Sequence, residues 1–371
     1  MHIHTMKLER YRGAQCLALV LHEKLNVFVG MNGVGKSSIL DATAILLSWL
    51  VNRIKSAGSS GRPIIEADIK NGETSANLEM TLNEDDSYFG WSIAKVRKGR
   101  SKKDIGSNLA SVSEVAKKMQ SEISESHGQV NIPLFVYYPV NRVVLDIPLR
   151  IRDKQRFDLL SAYDEALTSG ANFRTFFEWF REREDLENEN RKYENQLIKP
   201  DGFQFPDLQL ETVRKALVQF MPEFKNITVR RNPLRMEIEK LGEHITVNQL
   251  SDGEKCLMAM IGDLARRMAV ANPLRNNPLE GEGVVLVDEI DLHLHPKWQR
   301  MIIPKLVEVF PNCQFMISTH SPHVITHVRP ENLFLLKMTE DGLDALRPLD
   351  SYGKTAERIL EDLMGVNGQQ I

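Results

Sequence analysis

The chain has 371 residues, 42% hydrophobic and 26% charged, with a formal net charge of -3. That length holds one large α/β domain with insertions, or two domains, of ordinary soluble composition. Near-neutral charge gives no global case for nucleic-acid affinity, so any such contact would have to come from a local patch or a partner. Cys16, Cys256 and Cys313 lie far apart and show no metal-ligand spacing, which suits a reduced compartment. Met1 to Arg12 lack an apolar signal core, and no apolar run approaches membrane-spanning length, so the expected location is cytoplasmic with no membrane contact.

From the N-terminus, Ile3, Met6 and Leu8, then Leu17, Leu19 and Leu21, alternate as a short antiparallel ribbon. Tyr11 and Arg12 stand between its strands, where a ring or planar cation could lie against a purine; a surface turn is the equal alternative. The ribbon feeds a buried strand, Leu25 to Val29, followed by Gly30-Met31-Asn32-Gly33-Val34-Gly35-Lys36-Ser37-Ser38 and a helical stretch, Ile39 to Val51. Strand, glycine-rich turn and Lys-Ser opening a helix make a phosphate-binding loop rather than a glycine turn that merely looks like one. Backbone N–H groups of Gly30, Asn32, Gly33, Val34, Gly35 and Ser38 would surround an anion at a helix N-terminus. Lys36 would reach the β- and γ-phosphates, and the Ser37 hydroxyl would ligate Mg²⁺. A nucleoside triphosphate is the expected ligand.

Beyond a flexible loop at 56–62, strands are expected around Ala76–Leu82 and Tyr88–Lys95. The basic loop after them (Lys95, Arg97, Lys98, Arg100, Lys102, Lys103) reads as solvated, though it is the best local candidate for a nucleic-acid backbone. Residues 104–127 are helix-compatible, Pro133–Tyr138 is a buried strand, and 155–198 is helical. Interspersed charges over Arg181–Glu194 suit an exposed helix. A further helix, Leu210–Phe220, and a ribbon, Ile227–Val247, lead to the next motif.

Leu250-Ser251-Asp252-Gly253-Glu254-Lys255 opens a helix, and Ser251 with Glu254 forms an ordinary capping box. The same geometry can present Ser251 and helix N–H groups to a γ-phosphate, and a glycine at 253 favours close approach. Val284–Val287 is a buried strand ending in Asp288 and Glu289, the arrangement in which Asp288 holds Mg²⁺ and Glu289 orients or deprotonates the attacking water. Adjacent strand residues face opposite sides, so both serve only if the chain turns there. His293 and His295 beside three acids also invite a zinc reading, which the hydrolase assignment makes redundant. Cys313–Ser318 is a last buried strand, and His320 just past it can hydrogen-bond a γ-phosphate.

These segments (Gly30–Ser38, Leu250–Lys255, Val284–Pro296 and Ser318–Pro322, with Tyr11-Arg12) resemble ATP-binding-cassette ATPases of the RecF/SMC/OLD type. The resemblance implies an α/β fold: an ABC-type P-loop ATPase head with a mixed central sheet, an antiparallel β subdomain and a helical insertion. Residues 1–150 and 211–345 would form the head, 151–210 the insertion and 346–371 a helical tail. Two protomers would sandwich two ATP molecules, with Lys36 and Ser37 acting in cis and Ser251 and Gly253 in trans; Arg12 is a further nucleotide-binding candidate, and Asp288, Glu289 and His320 would support hydrolysis. The family's Q-loop glutamine is not evident, since Asn141-Arg142 stand in its place.

Asp288–Pro296 and Tyr352–Leu360 further resemble bacterial anti-phage ATPases of the Septu system, including retron-attached versions. That resemblance implies a homo-oligomer working with a separate HNH nuclease, and in retrons with a reverse transcriptase and its RNA and DNA. Proteins with this tail often continue beyond the position of Ile371. OLD-type proteins carry a TOPRIM nuclease after the histidine loop, but the roughly fifty residues here lack its separated Glu and Asp-x-Asp set. The alternative function is a repair or recombination ATPase that binds DNA directly; a transporter subunit fits less well.

Overall fold

A computed structural model describes residues 1–99, 106–140, 157–168, 171–196, 198–200, 203–356 and 358–359. Alternating burial forms the N-terminal hairpin: β1 (His2–Tyr11) pairs antiparallel with β2 (Ala14–Val20), burying Met6, Leu8, Leu17 and Leu19. β3 (Leu25–Val29) is buried throughout and runs through the glycine-rich turn into α1 (Lys36–Lys55). β4 (Ser75–Glu84) and β5 (Ser87–Val96) form a second hairpin, and β4 pairs with β1 to give the order β2-β1-β4-β5. α2 (Ala110–Glu125) packs on α1 and precedes β6 (Leu134–Tyr138). α3 (Phe173–Arg191), α4 (Leu208–Phe220) and an antiparallel sheet of β7 (Phe224–Arg231), β8 (Leu234–Lys240) and β9 (Glu243–Thr246) follow. The chain continues as α5 (Asp252–Ala271), β10 (Gly283–Val287), α6 (Pro296–Val309), β11 (Cys313–Thr319), α7 (Pro322–Ile325), β12 (Leu333–Thr339) and β13 (Gly342–Leu346).

Among the described residues, the central sheet has the order β13-β12-β3-β11-β10-β6. It is mixed: β12, β3, β11, β10 and β6 are parallel, and β13 is antiparallel to β12. β3, β6, β10 and β11 are continuous apolar runs buried along their length, as strands covered on both faces must be. Their carboxyl ends therefore share one edge of the sheet, where the polar motifs emerge. Gln314 of β11 ties this sheet to β1: its Oε1 accepts from the Ile3 N–H (2.7 Å), and its Nε2 donates to the carbonyls of Ile3 (2.8 Å) and His22 (2.9 Å). Among the described residues, no helix is long and apolar enough to cross a membrane.

Three expectations change. The β12–β13 hairpin was not anticipated. The helical stretch expected from 155 contains a 3₁₀ turn at Leu159–Tyr163, with α3 starting only at Phe173. α3 is exposed along much of its charged stretch, as expected, with Glu182, Asp185, Glu189 and Arg191 at the surface, but two of its carboxylates turn inward. Glu184 is buried and accepts from the Val229 N–H (3.1 Å) and from Arg231, while Arg214 meets buried Glu187 at 2.9 Å and Arg183 meets Asp207 at 2.6 Å. The alternating signs bind α3 to α4 and β7, because each buried carboxylate finds a guanidinium with matching geometry. In the basic loop, Arg97 donates to the carbonyls of Glu73 (2.9 Å) and Ile69 (3.3 Å), which leaves it poorly placed to grip a phosphate backbone. Arg100, Lys102, Lys103, Asn141, Arg142 and the tail past residue 359 lie outside the described residues.

α5 carries a second internal charge cluster. Asp263 is fully buried and receives Arg266 (2.8 Å), Arg267 (2.7 Å) and the Tyr138 hydroxyl (3.0 Å), while Arg267 also donates to the Ala162 carbonyl at 2.7 Å. Burial works against the Asp263 charge, but Arg267 and Arg266 outweigh it and hold the carboxyl below its usual range. A lowered folded-state pKa adds stability that is complete at neutral pH and is lost as pH falls through that value. Asp263→Ala, which leaves two guanidiniums buried without their carboxylate, should cost about 3–5 kcal/mol in urea denaturation. A loss below about 1 kcal/mol would show that the two arginines find other partners.

Candidate functional site

β3 leads into buried Gly30, and Gly35 forms the N-cap of α1 with φ of 116°. No side chain caps this helix, and its first turn contains no acid, so its leading N–H groups and positive dipole end suit an anion. A side chain at Gly35 would be strained in that conformation, and its Cβ would lie 2.9 Å from Leu343 Cδ2. The β12–β13 hairpin thus presses on the loop, as does the Leu336 carbonyl against Gly30. Asn32, Gly33 and Ser37 are exposed, and Val34 and Ser38 are half-buried. Buried Lys36 curls back across the turn, its Nζ donating to the carbonyls of Gly30 (2.8 Å) and Met31 (3.1 Å). Burial lowers the Lys36 pKa below the usual lysine value, while Glu289, Asp288 and Asp291 pull it upward.

Those three acids stand there because of strand register. Val287 lies opposite Ile317, which sets Asp288 beside Ser318. The Ser318 hydroxyl donates to buried Asp288 and accepts from the Glu289 N–H at 2.8 Å, and the Ser318 carbonyl accepts from Ile290 N–H at 3.1 Å. Glu289 has φ of 46°, so the chain reverses at this residue and breaks the strand alternation. This is the turn that the two neighbouring carboxylates needed. Asp291 accepts the Thr319 hydroxyl, and His320 Nε2 lies 3.4 Å from its other oxygen. Asp288, Glu289, Asp291 and His320 therefore gather on the sheet edge that also carries Lys36.

Arg12 reaches the same helix from the ribbon. It bridges Asp41 of α1 and Asp68 (3.0 Å), and its guanidinium lies 5.1 Å from the Tyr11 ring centre. Tyr11 is fully buried, so its ring packs inside the protein instead of lying open to a base. Ser251 is exposed and the capping box is formed: its N–H and hydroxyl both donate to Glu254 at 2.9 Å, and Glu254 also pairs with Lys240. The small residue at 253 has a packing reason inside this chain, because a Cβ there would lie 2.3 Å from the His293 carbonyl. That contact joins the start of α5 to the turn carrying Asp288 and Glu289. His295 caps α6 through the Lys297 N–H (3.3 Å), and among the described residues no group of three His, Cys, Asp or Glu side chains could hold a metal ion. That leaves the zinc reading without a third ligand.

Ser318, Leu336 and Leu343 carry weight that motif reading did not assign them. A serine closing a wholly apolar strand was a usable signal for the first. The two leucines carry none, because only the fold brings their hairpin to the loop.

The residues present fit a Mg²⁺-nucleotide: an uncapped helix start, a buried lysine, and a carboxylate beside a hydroxyl. Magnesium needs few protein ligands, since phosphates and water complete its shell. Residues 25–326 match the family described as "AAA domain, putative AbiEii toxin, Type IV TA system". The chain is 31% identical to the "Retron Ec83 probable ATPase" of Escherichia coli, with 99% of this chain and 76% of that protein aligned. It is 23% identical to the Septu protein PtuA of Bacillus thuringiensis over 98% of this chain and 84% of that one. Among solved structures, the Smc head domain derived from Pyrococcus furiosus aligns with a TM-score of 0.53 at 14% identity, covering 97% of this chain and 99% of that one, a likeness of fold. The chain belongs to this AAA-domain family together with the retron ATPases.

Proposed function

We propose that this chain is the ATP-binding and hydrolysing switch subunit of a cytoplasmic anti-phage defence complex. The observation that carries the reading is the convergence of Lys36, Asp288, Glu289 and His320 on one sheet edge, held by the Ser318 contacts. Lys36 exchanges its carbonyl contacts for the β- and γ-phosphate oxygens, and the backbone of Gly30–Ser38 cradles them. Ser37 and Asp288 are the residues that would hold Mg²⁺, which supplies positive charge to the phosphates. Glu289, turned out of the strand direction, orients the attacking water and takes its proton, and His320 hydrogen-bonds the γ-phosphate.

Exposed Ser251 and the α5 N-terminus, with Gly253, complete the site of a second protomer. Nucleotide then acts as glue between two copies, because its γ-phosphate gains both sets of contacts only in the closed pair. The shift toward that state equals the difference in affinity between open and closed forms. The Septu and retron names of the relatives support a defence role. In this reading a separate HNH-type nuclease does the cutting, and a retron reverse transcriptase with its RNA and DNA is a further partner. Residues 1–150 and 211–345 form the two parts of the head in this reading, 151–210 the insertion and 346–371 the tail.

Lys36→Ala should abolish nucleotide binding measured by calorimetry; retained affinity would remove the loop from the site. Glu289→Gln should lower turnover at least 100-fold and give an ATP-dependent dimer in light scattering. Unchanged turnover would refute its role as the water-activating group. Co-purification with a nuclease encoded beside this chain tests the partner, and failure to associate with one would count against the complex.

A further inference from the structure

The capping box at the start of α5 leaves its serine committed. Ser251 has one hydroxyl proton, and it goes to Glu254 Oε2 at 2.9 Å, beside the Ser251 N–H at the same distance. A phosphate oxygen without a proton is an acceptor only, so the contact between Ser251 and a γ-phosphate forms only when the hydroxyl turns away from Glu254. Glu254 is buried. Burial works against its charge, but Lys240 and the Ser251 contacts outweigh it and hold the carboxyl below its usual range. An anion on the Ser251 hydroxyl would stand two hydrogen-bond lengths from this carboxylate, about 5 Å, where repulsion between them counts.

A lysine from another sheet meets both difficulties. Lys240 ends β8, and its Nζ donates to Glu254 Oε1, the oxygen that Ser251 does not use. Register fixes the lysine from two sides, opposite Phe224 of β7 and Glu243 of β9. The turn after it, Leu241-Gly242, has both residues in the left-handed region (φ of 53° and 87°), as a tight two-residue hairpin requires. The ammonium also lies 5.8 Å from the centre of the buried Phe224 ring. Glu254 therefore keeps two donors, Lys240 and the Ser251 N–H, once the hydroxyl leaves. Asp252 at the same helix end is 89% exposed and 3.8 Å from Lys255, so water and that lysine screen it.

We propose that Lys240 is a positioning residue for the trans half of the nucleotide site: it neutralises Glu254 and so frees the Ser251 hydroxyl to donate to the γ-phosphate held by a second copy of this chain. The assignment rests on the nucleotide-sandwich reading above and adds to it a residue that none of the motifs contains. Lys240 touches neither nucleotide nor metal in this scheme; it acts through Glu254 and Ser251. Its place on the β7-β8-β9 sheet makes the trans contact depend on a layer outside the central sheet.

Lys240→Met is the informative change, since it keeps an unbranched stem and removes the charge. Pairing is read by sedimentation of the Glu289→Gln protein in saturating Mg²⁺-ATP. Adding Lys240→Met to this parent should raise the dimer dissociation constant at least about tenfold, because each pair contains two such sites. Lys240→Arg, which keeps the charge, should stay within about threefold of the parent. ADP has no γ-phosphate to recruit the second copy, so its affinity should change by no more than about twofold in either variant. A loss of ADP affinity as large as the loss of pairing would make Lys240 a residue of the fold and overturn the proposal.

A second arm removes both charges. Glu254→Gln keeps an oxygen for the Ser251 N–H and still suits a capping box. Combined with Lys240→Met, it should return the dissociation constant to within about fivefold of the parent, because the two residues act as one unit. A merely structural lysine would not be rescued in this way. Pairing unmoved by Lys240→Met, or a double variant that pairs no better than Lys240→Met alone, would overturn the proposal while leaving the sandwich intact. A parent protein that binds ATP yet stays monomeric would sink the sandwich reading itself, and this assignment with it.

Discussion

One serine hydroxyl organises the sheet edge that carries the candidate site. Ser318 receives the Glu289 N–H and gives its own proton to Asp288, across a parallel strand pair in which each residue's position is set by register. Without such a pin, two consecutive carboxylates leaving a strand would diverge to opposite faces. With it, the backbone enters a left-handed conformation at Glu289, which a non-glycine residue adopts at a cost of about 1–2 kcal/mol. The hydrogen bonds to Ser318 offset that cost and fix where the negative charge collects. Lys36 then sits in a field made by three carboxylates, opposed by its own burial.

The close approaches around this edge show that the motif glycines answer to the fold as well as to a ligand. Gly30 lies against Leu336, Gly35 against Leu343, and Gly253 against the His293 carbonyl. A Cβ at any of these positions would meet its neighbour at less than 3 Å, well inside the contact distance at which dispersion is favourable. A phosphate-binding backbone and a tightly packed backbone make the same demand on side-chain size. Each glycine is consistent with anion binding, yet none is specific for it.

Charge inside the molecule follows a different rule from charge at the site. Glu184, Glu187 and Asp263 are buried, and each meets at least one guanidinium. Fully paired, such groups tie helices together at little net cost, whereas each would be costly alone. At the sheet edge the carboxylates instead outnumber the nearby lysine, an imbalance that suits a cation accompanying the nucleotide.

The sequence by itself determined which segments make up the candidate site. Strand-ending motifs at Gly30–Ser38, Asp288-Glu289 and Ser318–His320 were legible because a buried strand announces itself by a short apolar run and a phosphate loop by its spacing. The same local signals identified α1, α5 and the antiparallel ribbons. Tertiary structure alone decided what depends on contacts between distant segments. Register placed Ser318 beside Asp288, thirty positions away. Pairing of β12 with β3 put Leu336 and Leu343 on the glycine-rich loop, and the packing of α3 against α4 and β7 buried Glu184 and Glu187, which helical periodicity had assigned to solvent. Tyr11 looked available to a base because nothing in its sequence neighbours states that its buried ring points its hydroxyl toward Asp41 of α1. Periodicity reports which face of an element is apolar; it does not report which element will meet that face.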